Sequence, residues 1–339
     1  METPFEQDDY FKIDVEAHLI GDMKYIEYYP GVQAWWKGVA GASRMLLMNA
    51  SESYQLEPDD LAKKESPEEL VELMDRYGVD MACLLPEAMM DTTGYATRWS
   101  TNGELIEARD KFPDRFILVP NVGPIIRRGV ENAIWELEYL VREHNARMVK
   151  FYPPEDTAID DHRLWPFYEK VTELGIPVSI HTGWSWCPPG KSKYCLPVLL
   201  DEVASEFPEM KIVAFHMGWP YPHDLNMVGM THPNVFLSLS VLVPWAITAP
   251  ARFAELIGEA MRFVGSDRII WGVDYAGFPL QIKAAVLGLR DFEMPEETCR
   301  LYGYPPLTDD DKAKIFGVNL ANLLGIEPTR RVKDDTDSA

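Results

Sequence analysis

The feature that most constrains this chain is a recurrence of short apolar runs rich in β-branched residues. They are Phe11–Ile20, Val79–Pro86, Phe116–Val122, Ala146–Tyr152, Pro177–Trp184, Met210–Gly218, Asn234–Val241 and Arg268–Tyr275. Amphipathic, helix-like stretches separate them, and one opens on a clear start signal, Ser66-Pro67-Glu68-Glu69. Serine suits the N-cap, proline the first helical position and glutamate the third. Strands alternating with helices of this length predict parallel β-α units. Eight such units predict a (β/α)8 TIM barrel, with an open doubly wound sheet as the competing topology. No G-x-G-x-x-G follows the first run, which weakens that alternative.

At 339 residues and 47% hydrophobic content, the chain can bury one large core. We read residues 1–326 as a single barrel domain. Its first β-α connection, about 19–64, is long and rich in Tyr, Trp and Met, and is expected at the mouth of the barrel. Thr308–Gly325 reads as a closing helix with Thr308 at its N-cap. Residues 327–339 form a charged tail, expected to be frayed or used in subunit contacts.

The formal charge is -22, from 54 acidic and 32 basic residues. That balance repels phosphate backbones and anionic lipid, so neither nucleic acid nor a membrane surface is an expected partner. An anionic substrate would need local positive charge, such as a metal ion. The four cysteines, Cys83, Cys187, Cys195 and Cys299, are scattered and form no C-x-x-C pair. They fit a reducing compartment. The N-terminus has no basic segment followed by an apolar one, and no run is long enough to span a bilayer, so a cytoplasmic location is expected.

In a barrel, chemistry gathers where the strands end and the β-α loops begin. The first run carries Glu16-Ala17-His18, and side chains two apart share one face of a strand. The fifth carries His181, the sixth His216 and the eighth Asp274. A lone histidine at a strand end is usually structural. Carboxylates and imidazoles at four strand ends suit one divalent ion, Zn or Mn, with a position left for water or substrate. Aromatic residues crowd the following loops, among them Trp184, Trp186, Trp219, Tyr221, Trp245, Tyr275 and Phe278. Their clustering favours a flat, apolar or aromatic ligand.

Five short motifs occur in order: Val15-Glu16-Ala17-His18, Val149-Lys150-Phe151-Tyr152-Pro153, Ser179-Ile180-His181-Thr182-Gly183, Ala214-Phe215-His216-Met217-Gly218 and Gly272-Val273-Asp274-Tyr275. With them the chain, from Ile13 to about Leu324, resembles the amidohydrolase superfamily in its aminocarboxymuconate semialdehyde decarboxylase-related branch. Much of that superfamily has His-x-His on the first strand. Glu16 departs from this, and in doing so resembles the γ-resorcylate and 5-carboxyvanillate decarboxylases. The resemblance implies Glu16, His18, His181 and Asp274 as ligands of one divalent ion. It implies His216 as a histidine that is either catalytic or stands behind the ligands. Loss of CO2 from an aromatic acid needs a proton at the ring carbon, a role we assign to Asp274, with His216 orienting substrate or passing the proton.

The activity so implied is non-oxidative decarboxylation of a substituted, hydroxylated aromatic acid or a related unsaturated acid. The same residues could activate water and hydrolyse a C–C, amide or lactone bond, and a non-catalytic barrel is a third reading. Expected substrate contacts are Arg44, Lys150, Trp184, Trp219, His223 and Tyr275. Lys150 closes the fourth run, where some superfamily members carry a carbamylated lysine between two metals. With Glu on the first strand we read it instead as a cation behind or facing the substrate. The branch further implies a homodimer acting on a small carboxylic acid.

Overall fold

Eight strands, one inside each apolar run, organise the computed structural model, which describes residues 8–19, 65–87, 89, 100–185, 189–275 and 279–332. They are β1 (Ile13–Ala17), β2 (Met81–Leu84), β3 (Phe116–Leu118), β4 (Val149–Phe151), β5 (Val178–Ile180), β6 (Ile212–Ala214), β7 (Val235–Ser238) and β8 (Ile269–Ile270). Between them run α1 (Pro67–Tyr77), α2 (Asn102–Lys111), α3 (Val130–His144), α4 (Trp165–Leu174), α5 (Leu200–Glu206), α6 (Pro222–Thr231) and α7 (Pro250–Phe263). Helix α8 (Pro279–Arg290) follows β8. Every strand is thus followed by a helix.

All paired strands are parallel, β1 to β3 in one group and β4 to β8 in another. Parallel bridges join the groups at both seams, Asn121 to Lys150 and Ala17 to Tyr275. Lys150 N donates to Pro120 O at 2.8 Å, and His18 N to Tyr275 O at 2.8 Å. The sheet closes on itself and leaves no open edge. The doubly wound alternative is thereby excluded.

Local signals act as the sequence predicts. Ser66 and Glu69 form a reciprocal capping box at the start of α1, and Gly78 ends it in the left-handed region at φ 71°. Thr308 caps the closing helix together with Asp311, and Gly325 ends it at φ 64°. Its middle turn, Lys314–Val318, is a π-turn. There the Ile315 carbonyl accepts from Trp271 N at 2.9 Å, tying the helix to the chain just after β8.

Strand β1 departs from strict alternation. Its register with β2 shifts between Asp14 and Ala17. Ile13 and Val15 pack with Cys83, Val119, Val213, Phe215 and Ile270, whereas Ala17 and Leu19 pack in the other core cluster with the helices. Regular alternation would keep all four on one face. The bulge resets the phase, so that Glu16 and His18 follow Val15 to the interior side.

The start of the charged tail is hydrogen-bonded to the barrel. Arg330 Nη1 donates to the carbonyls of Asp8 and Tyr10 at 2.6 Å, and Arg331 N to buried Asp80 at 2.5 Å. Residues 20–64 of the first β-α connection, Arg44 among them, lie outside the described residues, as do Trp186, Cys187 and Phe278. No helix among the described residues is long and apolar enough to cross a membrane.

Candidate metal centre

Glu16 sits at the middle of a buried polar cluster at the C-terminal ends of the strands. Its Oε1 lies 2.8 Å from Lys150 Nζ and 3.8 Å from His18 Nε2, and its Oε2 lies 3.6 Å from His216 Nδ1. Burial alone would raise its pKa, but the charges of Lys150, His216 and His18 prevail and hold it down at about 2. Yet Glu16 Oε2 accepts no hydrogen bond among the described residues. A buried, ionised oxygen left in that state is an open ligand atom.

His18 is aimed by its outer nitrogen. Nδ1 lies 2.8 Å from the Leu85 carbonyl, so donation there leaves Nε2 facing Asp274 Oδ1 at 3.2 Å. Such an outer contact is the usual way a protein orients a ligating imidazole. Ligand atoms of Glu16, His216 and Asp274 all lie within 4.8 Å of one another. Mixed carboxylate and imidazole donors in that space fit one borderline divalent ion.

The two later histidines form a chain. His181 Nδ1 meets His216 Nε2 at 3.0 Å, and His216 Nδ1 meets Ser240 Oγ at 3.2 Å. His181 Nε2 lies 3.2 Å from the Trp184 carbonyl. Burial, followed by the charges of His216 and Lys150, pushes His181 well below the ordinary imidazole range, and both of its ring nitrogens are engaged, one by His216 and one by the Trp184 carbonyl. It joins the cluster through His216. His216 and Asp274 both occupy the left-handed backbone region, at φ 59° and 58°. Non-glycine residues adopt it rarely, and such strain concentrates where side-chain direction matters.

Of the other expected contacts, Lys150 is fully buried and bonded to Glu16 and Glu87, each at 2.8 Å. Trp184 is exposed, and half-buried Trp219 packs edge-on against Trp245 with ring centroids 5.8 Å apart. Buried Tyr275 donates its hydroxyl to Glu65. His223 is 79% exposed on α6 and pairs with Glu259, outside the cluster.

Two residues that contact the cluster carry no sequence signal that singles them out. Glu87 falls one residue beyond the second run, and following that run past Pro86 would have reached it. Ser240 lies within the seventh run, where a hydroxyl gives no signal until the fold brings it to His216.

The family profile described as Amidohydrolase matches residues 13–326. The chain belongs to the amidohydrolase family. This amidohydrolase is 22% identical over 299 residues to the γ-resorcylate decarboxylase of Polaromonas sp., covering 75% of this chain and 85% of that one. It is 28% identical over 114 residues to protein fluG of Emericella nidulans, which is 32% of this chain but only 12% of that protein's length. Its fold superposes on a dihydroxybenzoic acid decarboxylase from Polaromonas sp. with a TM-score of 0.65 at 17% identity, covering 93% of this chain and 97% of that one. That structure holds manganese and the inhibitor 2-nitroresorcinol.

Proposed function

We propose that this amidohydrolase is a metal-dependent, non-oxidative decarboxylase of a hydroxylated aromatic acid. The observation that carries the reading is Glu16, a buried carboxylate on the first strand whose Oε2 accepts no hydrogen bond among the described residues and lies 3.6 Å from His216 Nδ1, in a group of ligand atoms completed by Asp274. Similarity to the Polaromonas decarboxylases supports it. Glu16, His18, His181 and Asp274 would hold the ion, manganese or zinc. When bound, it supplies a Lewis acid for the substrate carboxylate and a neighbouring hydroxyl.

The remaining chemistry belongs to the chain. Asp274 is the most open member of the cluster, its side chain 23% exposed against 1% for Glu16 and 3% for His18. That exposure suits a group that meets substrate and carries a proton to the ring carbon. Once that carbon is protonated, the bond to the carboxyl carbon breaks, its electron pair restores the aromatic ring, and CO2 leaves. His216, fixed between His181 and Ser240, would orient the acid group. Trp184 and Trp219 offer flat apolar surface for the ring. Arg44 is kept as a candidate for a substrate oxygen. A homodimer and a cytoplasmic location are carried in the same proposal.

Incubating the manganese-loaded protein with γ-resorcylate in heavy water tests the reading. The expected products are CO2 and a phenol deuterated at the former carboxyl position. A panel of hydroxylated aromatic acids left intact, while amides or lactones take up solvent oxygen, would establish the hydrolase instead.

A further inference from the structure

We propose that the ammonium of Lys150 is a built-in counter-cation, filling the place a second divalent ion would take between Glu16 and Glu87. The inference rests on the metalloenzyme reading above and concerns how many ions this donor set accepts. A second group of ligand atoms, from Glu16, His18 and Glu87, also lies within 4.8 Å of one another, and all three residues are buried. It shares Glu16 with the first group and His18 with the ligand set proposed above, and Glu87 is the donor it adds.

Lys150 stands in the second position. Its Nζ lies 2.8 Å from Glu16 Oε1 and 2.8 Å from Glu87 Oε1, and 4.0 Å from the centre of the Phe215 ring. The side chain is fully buried. The other oxygens of both carboxylates accept no hydrogen bond among the described residues, although the side chains are only 1% and 7% exposed. Two buried carboxylates so placed need positive charge between them. An ammonium supplies it as a compact charge with several donors, yet it offers no lone pair to a metal. Reaction of this amine with CO2 would give a carbamate anion beside two carboxylates in a dry space, an arrangement that like-charge repulsion opposes.

Glu16 is consequently a divided ligand. Its Oε1 is committed to Lys150, and Oε2, on the His216 side, is left for the single ion.

Counting bound manganese after saturation and removal of free ion tests this. The wild-type chain is expected to hold one ion, and Lys150→Ala two, with spin–spin coupling in its paramagnetic resonance spectrum that the wild type lacks. Adding Glu87→Ala to Lys150→Ala should return the count to one. Two ions in the wild type, or one in a folded Lys150→Ala, would overturn the inference while leaving the metalloenzyme reading intact. No ion in the wild type would overturn both. If Lys150→Ala does not fold, the wild type still decides. With labelled bicarbonate and excess manganese it should show one ion and no carbamate in its mass or magnetic resonance spectrum, and a carbamate or a second ion refutes the proposal.

Discussion

Asp14 holds the first strand in the shape the centre requires. Its Oδ1 accepts from Glu16 N at 3.0 Å and Val273 N at 2.8 Å, stitching the β1 bulge to the chain after β8, just before Asp274. Burial raises its pKa to about 8, the two backbone donors oppose that, and the charges of Glu16 and Asp274 add to it. The folded state therefore keeps a proton that the unfolded chain releases between the ordinary 3.8 and about 8. Stability must fall as pH rises through that window, by up to about 1.4 kcal/mol per pH unit. Asn keeps the accepting oxygen without the titration. Urea unfolding of metal-free protein at several pH values should give a shallower slope for Asp14→Asn, and equal slopes would refute the assignment. Legibility at this scale follows the same geometry. Glu16 and His18 could be read as a same-face pair, but their phase relative to Ile13 and Val15 could not, because a bulge is a relation between two strands. Glu87 was one residue from view.

Among the elements, the strands were legible because burial on both faces leaves near-continuous apolar runs, and the helix ends because capping is local chemistry. The π-turn of the closing helix was not: its Ile315 carbonyl accepts from Trp271 N, a partner 44 positions away that no local signal names. Gly317 lies in that turn, and a Cβ there would come within 2.5 Å of the Phe11 carbonyl oxygen and 2.8 Å of its ring. Backbone oxygen cannot yield as a flexible side chain can. Gly317→Ala is expected to cost about 1–3 kcal/mol, read as a lower thermal midpoint. The closing helix is not part of the catalytic cluster, so kcat at a temperature where the variant stays folded should be nearly unchanged. A parallel loss of kcat would mean that this helix reaches the metal centre.

At the scale of the whole molecule, closure of the barrel converts residues far apart in sequence into one centre. The Ala17–Tyr275 seam sets Glu16 and His18 beside Asp274, and the Asn121–Lys150 seam lies where Lys150 enters from β4. This centre sits within a chain of formal charge -22, and the proposed substrate is itself an anion. A metal ion at the centre would act at contact distance, whereas the net charge acts during approach. Raising ionic strength from about 10 mM to about 150 mM shortens the screening length from about 30 Å to about 8 Å. Long-range repulsion then fades while buried contacts are barely screened. The expected result for the aromatic acid is that kcat/KM rises with salt, while kcat, measured on bound substrate, stays flat. A fall in kcat/KM over the same range would show that a positive field at the barrel mouth outweighs the acidic surface, and Arg44 would be the first residue to replace.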